Sequence, residues 1–136
     1  MRILGLDYGE VRTGVAMSDA LGILAQGVET IEHNGSDKKL LERIKELIAK
    51  FSIEKIVIGY PLNMNATKGP RIEKTDAFIK KLEAETKLQI IKIDERLTTV
   101  ASHRTMTELN ISKEKKKKIV DTISAEYILQ MYLDRN

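Results

Sequence analysis

Alternating apolar and polar positions at the start of the chain predict a strand, a turn and a second strand. The first strand covers residues 2–7, Gly9 marks the turn, and residues 14–18 form the second strand. A third extended segment runs from about residue 24 to residue 32. Because the connections are short, these three strands are expected to pair as antiparallel neighbours.

Apolar residues recur at helical spacing after the turn formed by Asn34 and Gly35. Ser36 or Asp37 can cap this helix by accepting a hydrogen bond from a backbone N–H of the first turn. The spacing predicts a helix that packs one face on the core. Its apolar stripe consists of Leu40, Leu41, Ile44, Leu47, Ile48 and Phe51.

Strands and helices alternate in the second half of the chain. Strands separated by a helix pair in parallel through right-handed crossovers, so the pattern predicts an α/β fold with a five-stranded mixed sheet flanked by helices. The predicted elements are a strand at 54–59, a charged helix from about 70 to 87, a strand at 89–93, a helix from Thr98 or Thr99 to about Leu109, and a last helix at 119–133.

The composition fits one ordinary domain over residues 1–136, since 42% of the residues are hydrophobic and can form a core. The absence of cysteine excludes disulfides, thiolate metal ligands and a cysteine nucleophile. The first residues lack the apolar run of a signal peptide, and no stretch approaches the ~20 apolar residues of a membrane-spanning helix. We therefore expect a cytoplasmic protein without a membrane partner.

The net charge of +3 suits a polyanionic partner, and the distribution of the charge is more informative than its sum. Residues 113–118 read KEKKKK, a local basic block. Like charges repel, which favours a solvated, mobile loop, and Lys115, Lys116 and Lys117 are additional candidates for contact with phosphate groups. The two histidines, His33 and His103, have no partner in the sequence and are expected at the surface.

Asp7 is the first candidate for catalysis, because it follows an apolar strand and precedes a turn. Asp commonly bonds the backbone two positions further on, so a turn former is the alternative interpretation. Gly5, Gly9 and Gly14 surround Asp7 and let the backbone approach closely or turn sharply there, and a bulky ligand such as a phosphodiester would fit against such a turn. The glycines favour the catalytic interpretation.

Asp94 and Glu95 follow the strand at 89–93 and precede the threonine cap of the next helix. Adjacent residues of a strand point to opposite sides, so only one of the two acids is expected to face a site. Glu95 is favoured because its longer side chain reaches farther into a cleft, although the choice stays open. Stabilisation of the helix dipole is the alternative role for this pair.

Asp121 is the most informative acid. Helical spacing places it on one largely apolar face with Ser124, Ala125, Ile128 and Tyr132. A carboxylate there would lie at the edge of the core, which favours a functional role. The alternative is an acid near the start of its helix that interacts with the helix dipole.

Three carboxylates without a cluster of His or Cys are typical of a site for a hard cation such as Mg²⁺ or Mn²⁺. Two such ions ~3.5–4 Å apart can activate a water and stabilise the departing oxygen during attack on a phosphodiester. The sequence therefore favours hydrolysis of nucleic acid. With four tyrosines and no tryptophan, binding is expected to depend on phosphate contacts more than on base stacking.

Four segments occur in the order and spacing of the YqgF family. They are GLDYGEVRTGVAMSD, GYPLNMNATKGPR, DERLTTVAS and DTISAEYILQMYLD. The chain resembles this family over essentially its whole length. The resemblance implies an RNase H-like fold related to Holliday-junction resolvases of the RuvC type, with the first strand in the middle of the sheet. It also implies a proposed role in maturing the 5′ end of precursor 16S rRNA.

The same resemblance implies which residues act. Asp7, Glu95 and Asp121 match the three acids of the family, and they would be both the catalytic residues and the ligands of Mg²⁺ or Mn²⁺. Basic residues of the same segments and of the lysine block are the candidate substrate contacts. They are Arg12, Lys68, Arg71, Arg96, Lys115, Lys116 and Lys117.

Other functions stay open at this point. A DNA-junction endonuclease acting on branched DNA is the nearest variant of a nuclease acting on structured or precursor rRNA. The element order also occurs in half of an actin-like or sugar-kinase ATPase, but that fold needs two such halves and this chain has room for one. A non-catalytic RNA-binding module that kept the fold is the third alternative. We expect a monomer or a weak homodimer.

Overall fold

The structure, a computed structural model, describes residues 2–61, 69–94 and 112–135. Within these ranges the chain forms five strands and three helices. The strands are β1 (Arg2–Asp7), β2 (Arg12–Ser18), β3 (Ala25–Glu32), β4 (Ile53–Tyr60) and β5 (Gln89–Asp94), and the helices are α1 (Asp37–Phe51), α2 (Pro70–Thr86) and α3 (Lys113–Leu133).

The sheet has the strand order β3-β2-β1-β4-β5, so the first strand lies in the middle, as predicted. β2 pairs with β1 and β3 in antiparallel ladders, whereas β4 pairs in parallel with β1 and β5. Short turns connect the antiparallel strands, and the parallel pairs are reached through helices that cross a face of the sheet. The predicted five-stranded mixed sheet is confirmed.

Strand alternation divides the core into two layers, one on each face of the sheet. Leu4 and Leu6 of β1 belong to the layer covered by α1 and α2, and Ile3 belongs to the layer covered by α3. We call these the α1/α2 face and the α3 face. The α1/α2 face buries large side chains such as Phe78, whereas the α3 face contains Ala16 and Ala125 among its buried residues.

The ends of α1 and α2 follow the predicted signals. Ser36 caps α1 by accepting a hydrogen bond from the backbone N–H of Lys39, and Ser52 ends the helix in a left-handed conformation. α2 begins with Pro70 after Gly69, a position where the missing N–H of proline leaves no helical hydrogen bond unmade. The apolar stripe predicted for α1 packs on the core, with Leu40, Leu41, Ile44 and Leu47 buried.

The predicted loop at the lysine block is wrong, because Lys113 is already the first residue of α3. Ser112 caps this helix by accepting a hydrogen bond from the backbone N–H of Lys115, and lysine is a good helix former despite the repulsion between neighbours. The start predicted at residue 119 is wrong for the same reason. Asp121 therefore lies two turns inside the helix, and a first-turn role with the helix dipole does not apply.

His33 was expected at the surface, and this prediction is wrong, because the residue is only 2% exposed. Its backbone N–H donates to the carbonyl of Val11, which turns the chain so that the ring lies against Tyr8. Its Nε2 is 3.0 Å from Thr13 Oγ1. A histidine that follows a strand is buried here by a turn contact between residues distant in sequence.

Several predictions fall outside the described residues. They concern the helix from Thr98 or Thr99 to about Leu109, together with Lys68, Glu95, Arg96 and His103. Within the described ranges, no helix has both the length and the apolar character needed to cross a bilayer.

Candidate active site

Glycines on β1 and β2 allow α3 to lie directly against the sheet. A Cβ on Gly5 would be 2.7 Å from Leu129 Cβ, and a Cβ on Gly14 would be 1.8 Å from the carbonyl oxygen of Asp121. These distances are shorter than van der Waals contact, so a larger residue at either position requires α3 to move. At Gly5 and Gly14 the space that a side chain would fill is taken by α3.

Asp7 is the last residue of β1 and lies on the α3 face. It alternates with Ile3 and Gly5, which both contact the α3 layer, and it is the ladder partner of Gly14. Gly14 in turn contacts the backbone of Asp121. Only one residue therefore separates the two acids, and the structure brings them to the same end of the α3 face.

An arginine from the start of β2 holds Asp121. Arg12 Nε donates to Asp121 Oδ2 over 2.9 Å, and the two side chains are 26% and 22% exposed, respectively. Burial raises the pKa of Asp121, and the hydrogen bond and charge of Arg12 offset only part of that rise. Arg12, predicted as a substrate contact, is thus also the charge partner of a candidate metal ligand.

Polar contacts to β3 fix the position of α3 from the other side. Thr30 Oγ1 donates to the carbonyl of Lys118 over 2.7 Å, and it lies 2.7 Å from Thr122 Oγ1. One turn further along, Glu126 Oε1 accepts the backbone N–H of Gly27 over 2.6 Å. These contacts are not predictable from local sequence patterns, because each joins residues about 90 or more positions apart.

A basic groove of about 250 Å³ lies next to the ion pair of Arg12 and Asp121. Lys117 and Lys118 of α3 line it together with Arg12, and Glu32 at the end of β3 contributes one negative charge. The helix places the lysines of the block on different sides of α3, and Lys117 is the predicted lysine that borders the groove. Lys118 also borders it but was not predicted.

The remaining predicted basic residues lie at other places. Lys115 and Lys116 belong to the first turn of α3, with Lys115 exposed and Lys116 half-buried. Arg71 belongs to the first turn of α2 and lines a separate cleft next to Tyr8. Lys68 and Arg96 lie outside the described residues.

Of the two acids after β5, only Asp94 lies within the described residues and can be assigned to a face of the sheet. Asp94 is the ladder partner of Tyr60, whose hydroxyl donates to Asp76 of α2, and it alternates with Lys92, whose Nζ lies 3.7 Å from Asp76. Asp94 therefore lies on the α1/α2 face, away from Asp7. Glu95 lies outside the described residues.

The donor atoms at this end of the α3 face fit a hard divalent cation. Asp7 and Asp121 offer carboxylate oxygens, the ligands that Mg²⁺ and Mn²⁺ prefer. Burial raises the pKa of Asp121 although Arg12 lowers it, and a bound cation would favour the ionised carboxylate further. Among the described residues, no three His, Cys, Asp or Glu side chains converge as a metal site would require.

Comparison with known proteins gives a consistent picture. Residues 1–135 match the family model described as RuvX, Holliday junction resolvase. Two relatives bear the name "Putative pre-16S rRNA nuclease". The one from Ruminiclostridium cellulolyticum is 59% identical over 135 residues, covering 99% of this chain and 95% of that protein. The one from Acetivibrio thermocellus is 50% identical over 135 residues, covering 98% of this chain and 96% of that protein.

Among solved structures, RuvC of Thermus thermophilus in complex with a Holliday junction substrate is similar with a TM-score of 0.60 at 12% identity. The match covers 99% of this chain and 95% of that one. At this identity the similarity concerns the fold alone, and it confirms the expected RNase H-like fold.

Proposed function

This chain belongs to the RuvX family of Holliday junction resolvases, and we propose that it hydrolyses phosphodiester bonds in nucleic acid at the end of the α3 face. The observation that supports this proposal most is the position of two carboxylates from opposite ends of the sequence. Asp7 of β1 pairs with Gly14, Gly14 packs against the backbone of Asp121 in α3, and Arg12, the ion-pair partner of Asp121, lines a basic groove. Carboxylates beside a phosphate-binding surface are what metal-assisted hydrolysis of a polyanion requires.

Asp7, Glu95 and Asp121 are the proposed ligands of Mg²⁺ or Mn²⁺. Glu95 is proposed over Asp94 because Asp94 lies on the α1/α2 face. When bound, the ion supplies an activated water and stabilises negative charge on the phosphate. β1 and α3 hold Asp7 and Asp121 in place beforehand, so little reorganisation is needed when substrate arrives.

Arg12 has two proposed tasks. Its Nε binds Asp121, which favours the ionised carboxylate in spite of burial. The guanidinium has further N–H donors, and these can bind a phosphate oxygen in the groove shared with Lys117 and Lys118. The other proposed substrate contacts, assigned from the sequence, are Lys68, Arg71, Arg96, Lys115 and Lys116.

Precursor 16S rRNA, cut near its 5′ end, is the proposed substrate. The support is the name shared by full-length relatives at 50–59% identity. Such a substrate would place the protein in the cytoplasm. We also propose that residues 1–136 form a single domain. A four-way DNA junction is the second candidate, because the matching family model is described as a Holliday junction resolvase.

A cleavage assay tests the proposal. The full chain would be incubated with a precursor 16S rRNA fragment and with a four-way DNA junction, with and without Mg²⁺ or Mn²⁺. We expect cleavage only with metal, and Asp7→Asn should lower its rate by about 10³-fold or more, since the amide removes the charge that a hard cation needs. Asp76→Asn, an acid of the α1/α2 face, is the matched control and should cleave normally.

The assay also separates the alternatives. Selective cleavage of the junction would favour the DNA endonuclease. Nucleic-acid binding without cleavage by the wild-type protein would favour a non-catalytic RNA-binding module. Near-normal cleavage by a well-folded Asp7→Asn variant would overturn the assignment of Asp7 as a metal ligand.

A further inference from the structure

A second cleft with basic residues lies on the other side of the β1–β2 turn. It is formed by this turn and the first two turns of α2. Arg71 and Lys74 supply positive charge, and Glu10 of the turn forms an ion pair with Lys74. The full lining is Tyr8, Gly9, Glu10, Arg71, Lys74 and Thr75.

The β1–β2 turn separates this cleft from the groove beside Asp121. Asp7 and Tyr8 are consecutive, but Asp7 lies on the α3 face while the ring of Tyr8 stacks on Phe78 of α2, with ring centroids 4.4 Å apart. The turn therefore carries Glu10 to one side and Arg12 to the other. Both basic surfaces lie at the end of the sheet where β1 ends at Asp7.

The wall of the cleft is rigid. The Tyr8 hydroxyl donates to Asp37 over 2.9 Å, so both the ring and its polar end are fixed. A Cβ on Gly9 would be 2.4 Å from the carbonyl oxygen of Arg12, which leaves the turn no room for a larger residue. These contacts hold Tyr8 and Gly9 in place at one side of the cleft.

The carboxylate of Glu10 forms an ion pair with the lysine of this cleft. Glu10 Oε1 accepts a hydrogen bond from Lys74 Nζ, and this bond is the main cause of the lowered pKa of Glu10, to which the charge of Arg71 also contributes. Glu10 and Lys74 are 63% and 62% exposed. Exposed ion pairs contribute little to stability. A phosphate that accepts hydrogen bonds from both Arg71 and Lys74 can therefore displace the carboxylate.

We propose that Arg71 and Lys74 form a phosphate-binding subsite and that Glu10 competes for it as an internal carboxylate. This inference rests on the proposed function, because the phosphate would belong to the same nucleic acid that the α3 face cleaves. The strand would cross the end of β1, with one phosphate bound beside Lys117 and Lys118 and another bound at Arg71 and Lys74. Glu10 then weakens binding of the substrate backbone.

Binding measurements without metal test the inference separately from cleavage. Fluorescence anisotropy would follow an RNA hairpin with a single-stranded 5′ extension, and a four-way DNA junction, in EDTA at several salt concentrations. Glu10→Gln should raise affinity about two- to fivefold, because an exposed competing ion pair is removed. Lys74→Gln should lower affinity and reduce the slope of log K against log salt concentration by about 0.7–0.9.

The chain offers a matched control pair. Lys45 and Glu85 form an exposed ion pair between α1 and α2, and Glu85 lies eleven residues beyond Lys74 along α2. Glu85→Gln and Lys45→Gln make the same changes in net charge without touching the cleft. We expect both to leave the salt slope unchanged and to shift affinity less than the variants of Glu10 and Lys74.

Three outcomes would overturn the inference. The first is an equal rise in affinity for Glu10→Gln and Glu85→Gln, which would mean that net charge alone matters. The second is an unchanged salt slope for Lys74→Gln. The third is a wild-type protein that binds neither probe, which would also overturn the proposed function. If the variants change binding as expected but the wild-type protein does not cleave either substrate, the proposed function alone would be overturned.

Discussion

The two faces of the sheet are built in opposite ways. On the α1/α2 face, large side chains such as Phe78, Leu6 and Ile44 fill the space between sheet and helices. On the α3 face, Gly5 and Gly14 let the helix backbone contact the strands. The first arrangement maximises the apolar area removed from water, and the second fixes the position of a helix.

This difference bears on the position of the two acids proposed as metal ligands. A helix separated from the sheet by large side chains would hold Asp121 farther from Asp7. Contact through Gly14 brings the two acids together at the expense of buried apolar area. The α1/α2 face therefore contributes mainly to stability, and the α3 face determines the position of Asp121 relative to β1.

The largest effect is expected when one carbon is added to the α3 face. In Gly14→Ala the new Cβ would lie 1.8 Å from a backbone oxygen of α3, which no rotamer change can relieve. We expect the free energy of unfolding to fall by about 3 kcal/mol or more, as measured by urea denaturation.

Gly27→Ala is the comparison for Gly14→Ala, because its new Cβ would meet the side chains of Thr122 and Glu126 and not the backbone of α3, so the strain can be relieved by the loss of their hydrogen bonds to β3. It should cost less than the Gly14 variant. Equal losses for the two variants would mean that close contact of α3 at Gly14 is unimportant.

A smaller effect is expected when one carbon is removed from the α1/α2 face. Ile58 is fully buried in β4, and Ile58→Val should lower the free energy of unfolding by about 1 kcal/mol, because the missing methyl group leaves only a small cavity. The same urea titrations provide the measurement. A loss larger than that of Gly14→Ala would reverse the proposed roles of the two faces.

The pH dependence gives a further, smaller contrast. Burial lowers the pKa of His33, which lies against Tyr8 on the α1/α2 face. The unfolded chain therefore binds a proton more readily than the folded protein, so stability should fall as the pH drops below about 6.5. His33→Gln should reduce that slope in melting temperatures measured from pH 7.5 to 5.5. An identical slope would show that His33 does not control it.

Asp121 should respond in the opposite direction. Burial raises its pKa in the folded protein above the ordinary value of 3.8. Its contribution to stability is therefore favourable below pH 3.8 and is lost as the pH rises above that value. The two faces thus carry titrating groups with opposite effects. Asp121→Asn should remove this part of the profile at pH values above 3.8, and an unchanged profile there would contradict the assignment.

Local sequence signals predicted most of the sheet and α1. The alternation at residues 2–7 gave β1 with its observed bounds, and Ser36 gave the observed cap of α1. The predicted start of α3 is wrong because the helix propensity of lysine and the cap at Ser112 outweigh the charge repulsion within the lysine block. Local signals succeed where neighbouring residues determine the structure.

Contacts between distant residues could not be predicted. Arg12 and Asp121 are 109 positions apart, so the sequence analysis identified both residues without identifying the ion pair between them. His33 was misplaced for a similar reason, since its burial depends on Thr13 and Tyr8. The acids themselves were identified from strand ends and a helix face, and their roles as metal ligands remain a proposal.

Binding of Mn²⁺ tests the central claim most directly, namely that the carboxylates of the α3 face hold a divalent cation. Electron paramagnetic resonance would measure free Mn²⁺ in titrations of the wild-type protein, Asp7→Asn and Asp76→Asn, with folding checked by circular dichroism. We expect Asp7→Asn to weaken binding more than tenfold, whereas Asp76→Asn, on the α1/α2 face, should bind like the wild type. Equal Mn²⁺ affinity in the wild type and a folded Asp7→Asn variant would contradict the claim.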